Sequence, residues 1–332
     1  MVGKNVRVGI ALLALSVAAL PASAKTLKLG FVRTPVAAPA FIAKDKGYYA
    51  AEGLDVELVP FDAAEPISVA VMSGSLDIAL TGFTAAFYNL AAQGGLRVIG
   101  GSVHEHSGFN SGTFVVSNQA YEAGVRSFKD IGGHSVGLTQ IGSSLHYSVG
   151  LIAEKYKIDI KTLRLVPTQS NANAASAVAG GSVDVALGPG NYFAKSLQHG
   201  DIKLLGYVGD ETPWQLGMII TSAKTADGEP DTVKSFLRAY VKGVHDYYDA
   251  FTTPDGQRKD GPSAPTILDI MVKNLNQPRE QLEPSVGYQD REARLDVKDV
   301  VHQVGWYKTQ GLLKADVDPD KLIDKRFVKP LP

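Results

Sequence analysis

The sequence predicts an α/β protein built from two similar lobes, and three observations carry that prediction. Strand-like and helix-like segments alternate from residue 25 to residue 222 of the 332-residue chain, the pattern of mainly parallel sheets covered by helices. The stretch GSLDIALTG at 74–82 recurs as GSVDVALGP at 181–189. Composition allows two cores: 45% of residues are hydrophobic and 20% charged, in a chain long enough to divide.

The first 24 residues stand apart. Lys4 and Arg7 form a short positive region, residues 8–20 are a nearly continuous apolar run, and Ala22-Ser23-Ala24 is a small-x-small pattern. These three parts predict an export signal cleaved after Ala24. The run is too short for a comfortable membrane span. The expected mature protein starts at Lys25, has a formal charge of −3 rather than −1 without Lys4 and Arg7, and is soluble and periplasmic. Nothing in that balance calls for nucleic acid as a partner. The chain has no cysteine, which excludes disulfides, thiolate metal sites, cysteine nucleophiles and cysteine-linked lipid.

From Lys25 the elements follow in order. LKLGFV at 27–32 is an apolar, β-rich first strand, closed by Arg33-Thr34-Pro35. Pro39 suits the first turn of a helix that runs on to Gly47. LDVELVPF at 54–61 alternates as a second strand. A helix ends at Gly74, LDIALTG at 76–82 is a third strand, a helix follows from Phe83, and LRVIGGSV at 96–103 is a fourth strand.

The pattern then restarts with strand GTFVVS at 112–117. A strand ending at Thr139 follows, then a helix opened by Gly142-Ser143-Ser144, strand LRLVPT at 163–168, a helix, strand VDVALG at 183–188, a helix and strand IKLLGYV at 202–208. Gly74, Ser75, Asp77, Ala79 and Leu80 correspond to Gly181, Ser182, Asp184, Ala186 and Leu187, and one deletion near Gly94 brings Gly100 onto Gly206. Gly-Ser before a strand is ordinary turn punctuation, but the shared element order marks a repeated lobe. The period is too long for a solenoid.

MIITS at 218–222 is one more strand, and a long amphipathic helix opens after Glu229-Pro230-Asp231. The remainder to Pro332 is mainly helical and has no predicted strands, so it is expected to pack on the first lobe, with Trp306 assigned to packing of the last helices. The expected division is 1–24 leader, 25–111 with 213–332 as lobe 1, and 112–212 as lobe 2.

An exported, two-lobed chain with a repeated helix–GSxDxA unit resembles the solute-binding proteins of ABC importers in the nitrate/sulfonate/taurine class, which share a superfamily with the NMT1/THI5-like proteins. The resemblance rests on the mature N-terminus through LVPF at 58–61, on SGSLDIALTGFTAAF, SFKDIGGHSVGL and GGSVDVALGPGNYFAK, and on GWYKTQGLL near the end. It implies a Venus-flytrap fold of the type II periplasmic-binding-protein kind, with a ligand between the lobes and a membrane permease as partner. Members bind nitrate, sulfonates, pyrimidines or aromatic acids, so the resemblance leaves the ligand open.

Ligands of open α/β sheets lie beyond the carboxyl ends of the strands. In the first lobe those positions are Arg33, Thr34 and Pro35, then Thr81, Gly82, Phe83 and Thr84, then His104, Glu105 and His106. In the second they are Thr139, Gln140, Gly142, Ser143 and Ser144, then Gly188, Asn191 and Tyr192, with Trp214 on the return crossing. The Gly-Ser-Ser helix start offers free N–H groups to an anion. Ser143 and Thr84 are equally good N-caps. Arg33 can grip a carboxylate or sulfonate, or pair with Glu52 or Glu57 instead. His104 and His106 would share a strand face, but a zinc site needs a third protein ligand, and no metal or cofactor is expected. Phe41, Phe83, Tyr192 and Trp214 are candidates for an aromatic wall, with core packing the plainer role for Phe41.

No phosphate loop or H-E-x-x-H motif occurs, and G-x-S-x-G occurs only as GHSVG at 133–137, which leads into a predicted strand and is not the strand-to-helix turn of a nucleophile elbow. GPGNYF lacks the third glycine of a dinucleotide fingerprint. The expectation is a binder, not an enzyme, taking a small organic anion such as a sulfonate, carboxylate or aromatic acid. The alternatives are a pyrimidine-precursor binder or biosynthetic enzyme of the same fold, or a partner that presents ligand to a sensor.

Overall fold

The computed structural model describes residues 25–332; the expected export signal lies outside the described residues. The strands are β1 (Lys25–Val32), β2 (Leu54–Phe61), β3 (Ile78–Gly82), β4 (Leu96–Gly101), β5 (Val103–His104) and β6 (Gly112–Ser117). They continue with β7 (Ser135–Leu138), β8 (Arg164–Pro167), β9 (Val185–Pro189), β10 (Ile202–Tyr207), β11 (Gly217–Ser222) and β12 (Tyr288–Gln289).

Two five-stranded sheets result, ordered β2-β1-β3-β11-β4 and β8-β7-β9-β6-β10. In the first, β1 runs parallel to β2 and β3, while β11 is antiparallel to β3 and β4. In the second, β7 runs parallel to β8 and β9, while β6 is antiparallel to β9 and β10. Each sheet therefore has one reversed strand. In both cases it is the first strand formed after the chain leaves the other sheet.

This topology explains the repeat and shifts its register. Position by position, β1–β4 match β7–β10, and β11 matches β6. The second copy thus begins at Ser135, not at the strand of residues 112–117. The repeated aspartate has the same task in each copy. Asp77 accepts the β1 amide of Lys28 at 2.7 Å, and Asp184 accepts the β7 amide of Ser135 at 2.8 Å. The backbone oxygen of Asp77 takes the Thr221 hydroxyl of β11 at 2.7 Å, and that of Asp184 takes the Ser117 amide of β6 at 2.8 Å. The motif is a strand clamp: it fixes both neighbours of the central strand and leaves the ligand loops free to vary.

The long helix Pro230–Phe251 buries Phe236, Tyr240, Tyr247 and Phe251 against helix Ala38–Asp45 and the first sheet. Gly243 permits that approach, since a Cβ there would lie 2.2 Å from the Pro39 carbonyl. Helix Val297–Thr309 behaves differently from expectation. Trp306 packs on the second lobe, where a Cβ at Gly150 of helix Ser144–Tyr156 would lie 2.3 Å from its ring. The next residue, Tyr307, donates to the Phe83 carbonyl at 3.2 Å and the Ser143 carbonyl at 2.9 Å. This helix therefore spans both lobes. A small sheet pairs β12 with β5.

Candidate functional site

A cavity of about 100 Å³ lies between the two sheets. Its wall is built from strand ends, as expected for open sheets. Thr34 and Pro35 follow β1, Thr81 and Gly82 end β3, Ser102 and Val103 follow β4, and Leu216 and Gly217 enter β11. Across from them stand Thr139 and Ser144 after β7, Asn171 after β8 and Pro189 at the end of β9. Ser111 from the crossing segment and Ser285 close the ring. Val32, Val36, Leu80 and Leu145 supply apolar surface. No charged side chain of the described residues lines it.

Four helices begin at this wall. Ala64 and Pro189 immediately precede helices Glu65–Met72 and Gly190–His199, while Ser144 and Asn171 are the first residues of Ser144–Tyr156 and Asn171–Ala179. Helix starts carry free N–H groups and partial positive charge. These four helix starts bring backbone partial positive charge to a wall that holds no cationic side chain.

Direct contacts close the cleft. The Ala85 amide donates to the Gly142 carbonyl at 2.8 Å, and the Tyr192 hydroxyl to the Arg33 carbonyl at 3.2 Å. The Thr139 hydroxyl donates to Glu65 Oε1 at 3.3 Å, and Asn191 to Gln277 at 2.9 Å. Gly82 meets Ser144 so closely that a Cβ on it would lie 2.8 Å from the serine Oγ.

Of the residues singled out in the sequence, Thr34, Pro35, Thr81, Gly82, Thr139 and Ser144 reach the cavity wall. Arg33 does not. Its guanidinium pairs with Asp62 at 3.4 Å and is half exposed at the cleft rim, while Glu52 takes Arg238 and Lys242 instead. Phe83 is core, fully buried and stacked on Tyr88. Phe41 is core as well.

Ser143 and Thr84 act as N-caps, accepting the amides of His146 and Phe87. Gly142 holds a left-handed φ of 84° and donates its amide to His146. Gln140 lies in the half-buried turn before it. Gly188 packs beside Phe193, and Asn191 sits one helix position behind the wall. Trp214 is buried edge-on against Tyr147.

His104 and Glu105 belong to the crossing segment. The His104 and His106 rings both meet Tyr288, at 6.0 and 4.3 Å between centroids. Burial lowers His104 to about 4, so its imidazole is neutral. Among the described residues no group of three metal-ligating side chains occurs. Glu105 accepts the Ser111 hydroxyl at 2.8 Å and the Gly112 amide at 3.2 Å, and its backbone pairs with Trp214 of the return crossing. Burial raises its carboxyl to about 7.

Sequence reading missed Ser102, Ser111, Asn171 and Ser285 on the wall, and Glu65 just behind it. Asn171 was within reach, since it opens the helix after a predicted strand. Ser285 comes from a C-terminal turn and has no local signal.

Fold and cavity together define a two-lobed α/β protein of the periplasmic-binding-protein fold with a cavity between its sheets. A family model described as NMT1/THI5 like matches residues 34–255, and the chain belongs to that family. The aliphatic sulphonate binding protein SsuA from Escherichia coli is similar at a TM-score of 0.71 and 16% identity, over 93% of this chain and 94% of that one. The alkanesulfonate-binding protein SsuA from Xanthomonas axonopodis pv. citri, bound to MOPS, gives 0.72 and 17% over 91% and 99%. The nitrate-binding protein NrtA from Synechocystis PCC 6803 gives 0.70 and 16% over 91% and 87%. No curated protein matches the sequence. Among the described residues no helix is long and apolar enough to cross a membrane.

Proposed function

We propose that this protein is the periplasmic substrate-binding component of an ABC importer, and that it captures a small organic acid between its lobes for delivery to a membrane permease. The observation that carries the reading is the cavity itself, walled by strand ends from both sheets and by four helix starts. Such a site favours an anion through oriented amides. Its apolar wall suits a carbon-bearing ligand over a bare inorganic ion. Capture proceeds by closure: the ligand binds both lobes at once only in the closed form, so it shifts the population toward that form. The similar sulfonate- and nitrate-binding proteins support the class of ligand.

A thermal-shift screen tests this. Protein stripped of carried-over ligand by unfolding and refolding is screened against sulfonates, nitrate, aromatic and aliphatic carboxylates and pyrimidines. A true ligand at a hundredfold its Kd stabilises the fold by about 2.7 kcal/mol. A shift confined to organic acids is the expected result; a shift with pyrimidines alone transfers the assignment to that class.

A further inference from the structure

The protons of the cavity's hydroxyl groups are largely committed to the protein. A serine or threonine hydroxyl has one proton to give and two lone pairs to offer. Thr34 donates to the Val32 carbonyl at 3.4 Å, Thr81 to the Ala64 carbonyl at 3.2 Å and Ser285 to the Gln281 carbonyl at 3.2 Å. Ser111 donates to Glu105 at 2.8 Å and Thr139 to Glu65 at 3.3 Å. What these five present to the cavity is lone pairs. Asn171 adds an amide oxygen that is buried without a partner.

Glu65 is the notable member of this set. It is 6% exposed, it reaches from the first lobe to a second-lobe hydroxyl, and its Oε2 is buried without a partner. Burial raises its carboxyl, and a proton carried on Oε2 still leaves Oε1 as an acceptor for Thr139. As a carboxylate, or with its proton on Oε2, it holds the Thr139 proton away from the cavity.

We infer that the ligand carries an O–H or N–H donor as well as its acid group, that Thr139 accepts this donor, and that Glu65 is the positioning residue that makes Thr139 an acceptor. This rests on the cavity being the ligand site. The acid end meets the helix starts. The donor end meets lone pairs that an unsubstituted acid would leave unsatisfied, and a buried polar group left unpaired is costly. Sites built to bond a substrate hydroxyl reject analogues that lack it.

Calorimetric titration with two matched pairs tests the inference: 4-hydroxybenzoate against 4-methoxybenzoate, and 2-hydroxyethanesulfonate against 2-methoxyethanesulfonate. Members of a pair have the same charge and differ by the methyl that replaces the donor proton; a preference set by size alone would survive both Glu65→Leu and Thr139→Val. The wild type is expected to prefer a hydroxyl member by about tenfold or more. In Glu65→Leu the Thr139 proton is free to turn inward and donate to a methoxy oxygen, so the preference falls to near one while the methoxy compound binds at least as well as before. Loss of packing alone would weaken both members equally. Thr139→Val, close in shape, removes the acceptor and is the second variant; it too loses the preference. Equal affinity within both pairs in the wild type, or a preference that survives both variants, overturns the inference. If none of the four compounds binds the wild type while another organic acid does, the donor reading falls and the cavity reading stands. If no organic acid binds at all, the cavity reading falls and takes this inference with it.

Discussion

Gly82→Val is expected to weaken ligand binding by about 10- to 100-fold while leaving the unliganded protein folded. Gly82 ends β3 and faces Ser144 across the cleft, where a Cβ would lie 2.8 Å from the serine Oγ and 3.1 Å from its Cβ. Two further methyl groups cannot fit there without prising the lobes apart. The Gly82 backbone has no left-handed φ, so valine brings no backbone strain, and the close contacts of its Cβ are both to Ser144 of the opposite lobe, so parting the lobes relieves them. The cost therefore falls on closure. Small-angle scattering with saturating ligand should show compaction of the wild type and a variant that stays extended. Wild-type affinity with normal compaction would show that the lobes do not meet at Gly82 in the bound form.

Glu105→Gln is expected to flatten the pH dependence of stability and to stabilise the protein above pH 7. Burial raises the Glu105 carboxyl from its ordinary 4.5 to about 7. The folded state therefore holds a proton that the unfolded chain releases earlier. Stability is full below pH 4.5 and falls as pH rises toward 7, by on the order of 3 kcal/mol. Glutamine keeps an acceptor for Ser111 and Gly112 and has no charge to bury. His104 and His146 act with the opposite sign. Burial lowers both from 6.5 to about 4, so they cost stability as pH falls below 6.5. Comparing variant with wild type cancels the histidines. Urea unfolding from pH 5 to 8.5 should show the difference between the two proteins growing with pH up to about 7 and then levelling. Parallel curves would mean that the carboxyl is solvated.

The two-lobed α/β fold was legible because strand and helix periods alternate cleanly, and most strand bounds in the sequence fall within two residues of the observed ones. The reversed strands were not legible. VVS at 115–117 and IITS at 219–222 read the same whichever way they run, and their direction is set by which sheet the chain has just left. The cleft was half legible. Thr81, Thr139 and Ser144 follow from the strand-end rule. Arg33 misled because a sequence does not show that Asp62 is at hand to hold it at the rim. Phe83 misled because a residue just past a strand faces the core as readily as the cleft, and here Tyr88 covers it. The bridging role of Tyr307 depends on contacts 164 and 224 residues away, and Ser285 reaches the wall from a turn outside both repeats, which no local pattern encodes. The aspartates of the repeated motif were visible from the outset, yet their work is structural: they clamp strands in both lobes and touch no part of the cavity wall.

The most direct test of the account compares wild type with Thr81→Ala/Ser144→Ala, one residue from each lobe's wall, by calorimetric titration with the organic acid that gives the largest thermal shift. The account predicts saturable one-to-one binding in the wild type. In the double variant it predicts an affinity at least about tenfold lower, since each lost hydrogen bond is worth about 1 kcal/mol, with the unliganded protein still folded and its unfolding temperature lowered by no more than a few degrees through loss of the Thr81–Ala64 bond. Equal affinity in the two proteins would place the ligand elsewhere and contradict the central claim that this chain works by closing its lobes on a small molecule.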